Sequence, residues 1–182
     1  MSAASLRREI PAPLPRLWSE PSNLDYIWSP WRYRYVTGRD NPKGCIFCDM
    51  AAAHEDELNL IVFRGLHNFV VLNRFPYTSG HLLVVPYFHT ADLGAIEEEA
   101  AAELMRLTRA SDRHLRDLYR PDGVNLGMNL GESAGAGIAG HIHMHVLPRW
   151  VADANFITVI GETRVLPEDL HVSWERLRAA FR

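Results

Sequence analysis

The sequence predicts an α+β fold: an antiparallel meander sheet with one long helix lying on it. Three observations carry this. Short apolar segments follow one another with tight turns between them, which favours neighbouring strands running in opposite directions. One long stretch then changes to helical periodicity. After it, an alternating apolar segment passes through a glycine-rich turn into a second alternating segment.

The elements follow in order. Residues 1–24 are rich in Pro and Ser and read as a mobile N-terminal arm, leaving 25–182 as a single domain with a C-terminal extension. Trp28-Ser29-Pro30-Trp31-Arg32-Tyr33-Arg34-Tyr35 is too aromatic for a solvated linker and is expected to pack on the domain or across a dimer interface. The compact part begins near Gly44-Cys45-Ile46-Phe47-Cys48. Asn59–Arg64 and Asn68–Asn73 read as strands around a turn at Gly65, and His81–Pro86 as a third, entered through Pro76-Tyr77-Thr78-Ser79-Gly80. From Asp92 to Tyr119, Leu93, Ile96, Ala100, Leu104, Leu107, Leu115 and Leu118 mark one face of a helix. Glu97, Glu98 and Glu99 stand at its start and Arg113, Arg116 and Arg120 at its end, as the helix dipole favours. Pro121-Asp122-Gly123 stops it. Val124, Leu126, Met128 and Leu130 then alternate with Asn125, Gly127 and Asn129, giving a strand with one apolar face. The turn Gly131–Gly137 leads into His141–Arg149, and the tail carries FITVI at Phe156–Ile160.

Composition narrows the functional classes. A chain of 182 residues with 47% hydrophobic and 23% charged residues has room for one substantial core. A net charge of -3 gives no bulk electrostatic grip on nucleic acid or on an anionic membrane. No apolar run is long enough for a bilayer span, and the N-terminus lacks the apolar stretch of a secretory signal. Glu9 and four prolines argue against a transit peptide despite Arg7 and Arg8. Only Cys45 and Cys48 are present, two residues apart, which fits a cytoplasmic protein with a metal clip better than a disulfide scaffold. No organic cofactor is expected.

His141, His143 and His145 alternate with Ile142, Met144 and Val146. On a strand this places three imidazoles on one face at about 6.5 Å spacing. Burying them is costly unless each is satisfied, so they point to chemistry. Two readings compete: a metal held by alternating imidazoles, or one imidazole attacking phosphorus while the others orient it. The surroundings favour the second. Asn129 and the glycine turn lie immediately upstream, backbone amides in such a turn can form an anion nest, and Glu132 is the only nearby carboxylate.

His-Ile-His-Met-His-Val-Leu-Pro resembles the His-x-His-x-His motif of the histidine-triad (HIT) nucleotide hydrolases and transferases. Two further blocks agree: Leu72-Asn73-Arg74-Phe75-Pro76 with Gly80-His81-Leu82-Leu83-Val84-Val85-Pro86, and Asn129-Leu130-Gly131 with Ala134-Gly135. They are similar to the Fhit-like branch and cover roughly residues 45–150 in the right order. The resemblance implies the HIT fold, with two protomers joining their sheets in a homodimer. It makes His143 the nucleophile toward an α-phosphorus, places His145 on the phosphate or leaving group, and puts His81 in support. Asn129 and the turn Gly135-Ala136-Gly137 are implied on phosphate, and Asn73 on ribose. Arg149–Thr158, including Trp150, resembles the extension of bacterial diadenosine tetraphosphate phosphorylases. The five residues between Gly135 and His141 match that branch in length. The chain departs from relatives at Ala136 and Gly137, where they carry Gln or a hydroxyl residue facing the phosphate.

Cys45-x-x-Cys48 supplies half of a tetrahedral zinc set. The resemblance aligns His89 and His141 as the other half, with unliganded thiols or redox chemistry as alternatives and His54 and His67 as reserve ligands. Otherwise those two, with His114 and His171, read as surface residues. The expected function is therefore cleavage of diadenosine tetra- or triphosphate through a nucleotidyl-histidine intermediate, with water or phosphate as acceptor. The alternatives are a nucleotidyltransferase acting on a sugar phosphate, and a nucleotide-binding regulator with little turnover.

Overall fold

The structure is a computed structural model that describes residues 44–154 and 167–182. The arm at 1–24, the aromatic segment at 28–35 and the FITVI segment lie outside the described residues. Among the described residues, five antiparallel strands form one sheet: β1 (Ile61–Arg64), β2 (Asn68–Leu72), β3 (Leu82–Pro86), β4 (Gly123–Gly127) and β5 (Met144–Arg149), in the order β1-β2-β3-β5-β4. Among the same residues the α-helices are α1 (Ile46–Ala53), α2 (Glu98–Tyr119) and α3 (Leu170–Ala180). This is the α+β meander that the periodicities predict, with two helices that they did not reveal.

The inner strands are buried on both faces. Val70, Leu72, Leu82, Val84 and Val146 pack against Leu104, Leu107 and Leu115 of α2 and Trp174 and Leu177 of α3. Val71, Phe69, Leu83 and Val85 face the other way, against Phe47 and Met50 of α1. That double cover explains why β2 and β3 read as continuous apolar runs. Each fully buried Leu or Phe contributes roughly 1.5–3 kcal/mol of transfer free energy. Trp174 also donates its indole N–H to the Ile61 carbonyl at 3.0 Å, which satisfies the one polar atom that α3 buries there.

Several boundaries move, each for a local reason. Asn59 and Leu60 belong to a turn, with their amides donating to Glu55 and Glu57 and Leu60 at φ 59°, so β1 begins at Ile61. The long helix does not begin at Asp92. The Asp92 carboxylate accepts from the Gly94 amide to cap a single 3-10 turn at Leu93–Ala95, and Ile96 and Glu97 are extended before α2 starts at Glu98. β4 stops at Gly127, opposite His145, one position short of Met144 where β5 begins. The apolar residues of β4 and just beyond it are only partly covered: Val124 and Met128 pack against the core, while Leu126 and Leu130 are exposed.

Two connections fix the β2–β3 hairpin on which the histidine-bearing strand pairs. Gly80 sits at φ 78°, and a Cβ there would lie 3.0 Å from the Leu115 and Tyr119 side chains, so glycine is required where the chain enters β3. At the other end of that hairpin, Glu103 of α2 accepts from the amides of Leu66, His67 and Asn68 and from the Asn68 side chain at 2.7–2.9 Å. Burial alone would raise the Glu103 pKa, but these donors outweigh it and hold the carboxyl below its ordinary value. Among the described residues, no helix is long and apolar enough to cross a membrane.

Candidate active site and metal cluster

The three alternating histidines do not form one uniform row. Only His145 lies within β5; His141 and His143 occupy the extended segment before it. Their rings are sent to two different places, and the hydrogen bonds show why.

His141 is buried, and its Nε2 lies 2.9 Å from the carbonyl of Pro86, the last residue of β3. A carbonyl only accepts, so the proton is on Nε2 and the lone pair is on Nδ1. That Nδ1 is 3.2 Å from Cys45 Sγ, 3.7 Å from Cys48 Sγ and 3.2 Å from His89 Nδ1, while Cys48 Sγ and His89 Nδ1 are 3.4 Å apart. All four ligand atoms fall within 4.8 Å of one another. Ordinary zinc bond lengths around a tetrahedron give S···N of roughly 3.5 Å and N···N of roughly 3.3 Å, so the set fits a closed four-ligand site. The donor chemistry agrees. Burial lowers the His141 pKa, keeping the imidazole in its neutral, ligating form, and the neighbouring His89 and His143 add to this. Burial and the adjacent Cys45 push the Cys48 thiol up, a cost that a divalent cation between the two sulfurs would reverse. The reserve ligands His54 and His67 are not part of the cluster.

His143 has the opposite arrangement. Its Nδ1 is 2.8 Å from the backbone carbonyl of His141, so the proton is on Nδ1 and the Nε2 lone pair is available. Only 5% of the residue is exposed, and burial lowers its pKa, opposing protonation of Nε2. Its ring packs against Phe47 at 5.1 Å and against His145 at 4.9 Å. A neutral, desolvated imidazole with a fixed tautomer is a competent nucleophile.

The third histidine is tuned from β3. His81 is fully buried, and its Nδ1 accepts from the Tyr77 amide and the Asn73 side-chain amide, each at 3.2 Å. Its Nε2 therefore carries the proton and donates to His145 Nδ1 at 2.9 Å, which leaves neutral His145 with its own proton on Nε2. The Tyr77 ring packs against this pair, tilted 45° to His81 at 4.7 Å and nearly parallel to His145 at 6.1 Å. Two adjacent histidines thus present different faces: a lone pair from His143 and an N–H from His145.

The phosphate turn is more closed than its glycines suggested. Gly131 and Gly135 take φ 85° and 88° around a 3-10 turn at Glu132–Ala134. The amides of Gly135 and Ala136 donate back to Glu132 and Gly131, and Ala136 is buried. The exposed Gly137 takes no part in these bonds. Asn129 stands two residues beyond Gly127, the β4 partner of His145, and is half-buried. Asn73 does more than face a ligand: it ties its side chain to His81 and to the Phe75 amide. Trp150 lines a cavity of about 650 Å³ with Tyr77, Leu147, Arg149, Tyr119 and Arg176. Because Tyr77 touches His145, this cavity adjoins the histidine pair.

Neither Tyr77 nor Phe47 is legible in the sequence as a site residue: Tyr77 lies in a turn motif and Phe47 between two cysteines. The surface reading of His114 needs correction: it is half-buried and stacks on Phe181 of the α3 end at 4.5 Å. His171 is exposed, as expected, and stacks on Trp174.

Residues 56–151 match the family model described as HIT domain. A protein of Mycobacterium tuberculosis named AP-4-A phosphorylase is 39% identical over 153 residues, 80% of this chain and 78% of that protein. Among solved structures, a zinc-bound histidine triad family protein from Mycobacterium smegmatis aligns with a TM-score of 0.62 and 28% identity, over 76% of this chain and 93% of that one. A histidine triad nucleotide-binding protein from Sulfolobus tokodaii aligns with a TM-score of 0.61 and 25% identity, over 75% of this chain and 91% of that one.

Proposed function

The chain belongs to the HIT domain family, and from that premise we propose that it cleaves dinucleoside polyphosphates at the α-phosphorus through a nucleotidyl adduct on His143. The observation that carries this is the His143 ring: buried, neutral and held by its Nδ1–H so that Nε2 is the free base. In the first step the Nε2 lone pair forms a bond to the α-phosphorus and the bond to the departing polyphosphate oxygen breaks. His145, polarised through His81, directs its Nε2–H at the charge that develops on phosphate oxygen. In the second step an acceptor oxygen attacks phosphorus, the P–N bond breaks and the lone pair returns to Nε2. The acceptor's proton leaves with solvent or buffer.

The likeness to AP-4-A phosphorylase supports diadenosine tetraphosphate as substrate and inorganic phosphate as acceptor. The Gly137 backbone and Asn129 are the groups proposed to hold phosphate, with Gly135 and Ala136 shaping the turn. Asn73 is assigned to ribose as well as to His81, and Trp150 to the wall of the adjoining cavity. Zinc is the proposed metal for Cys45, Cys48, His89 and His141; when bound it fixes the start of α1 to the approach to β5. The uncovered β4 edge, with Leu126 and Leu130 exposed, is where a second copy would extend the sheet into a homodimer.

The test is to quench the reaction early with labelled diadenosine tetraphosphate and look for nucleotide on protein. Wild type should carry label on His143, and His143→Asn none; label elsewhere sinks the mechanism. Adding phosphate should shift the product from AMP toward ADP, because a positioned phosphate outcompetes unpositioned water. AMP alone at millimolar phosphate makes the enzyme a hydrolase. In that event Gly137→Ser, which restores a hydroxyl to the turn, should bring phosphorolysis back if the missing donor belongs there.

A further inference from the structure

We propose that Phe47 is a positioning residue for His143, and that the Cys45–Cys48–His89–His141 cluster acts on the nucleophile through it. The inference rests on the reading of His143 as the nucleophile.

One hydrogen bond cannot orient an imidazole. The bond from His143 Nδ1 to the His141 carbonyl fixes one atom, but the ring can still swing about it and carry Nε2 off line. Ring walls supply the remaining constraint. One wall is His145, which has chemistry of its own. The other is Phe47, 3% exposed, whose ring meets two imidazoles at once: His143 at 5.1 Å with a 54° tilt, and His141 edge-on at 5.5 Å and 84°. Such tilted and edge-on contacts are favourable and directional. An apolar ring has no proton to give, so its contribution to the site can only be shape.

Phe47 is in turn placed by the cluster. It lies between the two cysteines, in the first turn of α1. That helix has eight residues and no side-chain cap at Cys45, and a helix so short has no stability of its own. It buries only Phe47 and Met50, and Arg64 holds its far end through the Ala51 carbonyl. Its near end, which carries Phe47, is anchored by the sulfurs that share the cluster with His141. The same residue, His141, therefore reaches the nucleophile by two routes: directly through its carbonyl and indirectly through the ring wedged beside it.

The experiment compares zinc-loaded Phe47→Leu with Phe69→Leu. Phe69 is fully buried in the same apolar cluster, but its ring stacks on Tyr87. Both variants exchange an aromatic ring for Leu in one core, so loss of packing alone should affect them equally. Single-turnover adduct formation and the ring signals of His143 in ¹⁵N-histidine-labelled protein are measured for each. Phe47→Leu should slow adduct formation about 10- to 100-fold at little cost in KM, the scale expected when a reacting group is misplaced by about 1 Å. It should also broaden or split the His143 ring signals. Phe69→Leu should slow the step less than threefold and keep the wild-type signals. Removing the metal from wild-type protein with a chelator should reproduce the Phe47→Leu ring signature; this reading does not depend on any variant folding. Equal effects of the two variants, or wild-type His143 signals in Phe47→Leu, would overturn the role of Phe47. Unchanged signals after metal removal would overturn the link to the cluster. If wild type forms no adduct at all, the nucleophile reading fails, while the ring signals still decide whether Phe47 holds His143.

Discussion

His141 and His143 stand two residues apart, both buried, and their rings are fixed in opposite senses. His141 gives its Nε2–H to Pro86 and turns Nδ1 into a group of sulfur and nitrogen ligands. His143 gives its Nδ1–H to His141 and keeps Nε2 open. The contrast extends to Glu103, whose carboxylate is filled by three amides and a side-chain amide. The carboxylate that holds the β1–β2 turn to α2 has its bonding capacity used up. A buried polar group meant for chemistry keeps one valence for the substrate, and the surroundings bear that cost.

The sharpest way to break this contrast is to exchange the outcomes. His143→Asn should lose turnover by on the order of 10³-fold or more while folding normally and retaining about one zinc per chain. His141→Asn or Cys45→Ser should do the reverse in kind: metal content should fall well below one, with a marked loss of thermal stability. Metal analysis and melting curves on the same preparations check both, and normal metal content in Cys45→Ser would remove the four-ligand site.

Glu103→Gln should cost about 1.5–3 kcal/mol, since it replaces charge-assisted bonds by neutral ones and turns an acceptor into a donor facing amides. Because the folded-state pKa of Glu103 is lowered, its contribution is present above the unfolded value and is lost as pH falls through the folded one. Denaturant midpoints of the variant should therefore fall less steeply than wild type toward acid. Turnover per folded molecule should hold, in contrast to His143→Asn.

Tyr119 tests the same idea on the alkaline side. Burial, with the Glu168 carboxylate accepting its O–H at 2.5 Å, raises its pKa to about 12. The unfolded chain ionises this tyrosine first, so stability should decline as pH rises past about 10. Ultraviolet titration should show a tyrosine that ionises at about pH 12, and Tyr119→Phe should remove that step.

The smallest effect belongs to Ser111 of α2, fully buried with no hydrogen-bond partner for its hydroxyl among the described residues. Ser111→Ala should be neutral or stabilising by less than about 1 kcal/mol, because it deletes an unsatisfied group. A substantial loss would mean that this hydroxyl belongs with the satisfied groups after all.

Helical periodicity made α2 legible because it buries a repeating face, and short apolar runs bounded by turn residues made the strands and the α+β class legible. The helix α1 escaped notice because eight residues hold too few turns to show a period. The helix α3 carries its own signal, with Leu170, Trp174, Leu177 and Phe181 at helical steps after the capping Asp169, but it is short. The start of α2 was misplaced because Leu93 continues the helical spacing while Asp92 caps a separate turn.

Sequence alone determined which residues could act: the alternating histidines, the paired cysteines, the glycine turn and the upstream His81 with Asn73. Local spacing and side-chain chemistry pick out the first three, since a nucleophile or a ligand must be a residue of the right type, and the family resemblance implies His81 and Asn73. It could not assign their tautomers. The carbonyls of Pro86 and His141, the Asn73 and Tyr77 donors on His81, and the ring of Phe47 come from segments far apart in the chain or from backbone that carries no residue code. Only the fold brings these groups within hydrogen-bond and van der Waals reach, and at that range their geometry decides which nitrogen of each imidazole holds a proton and which is left for chemistry.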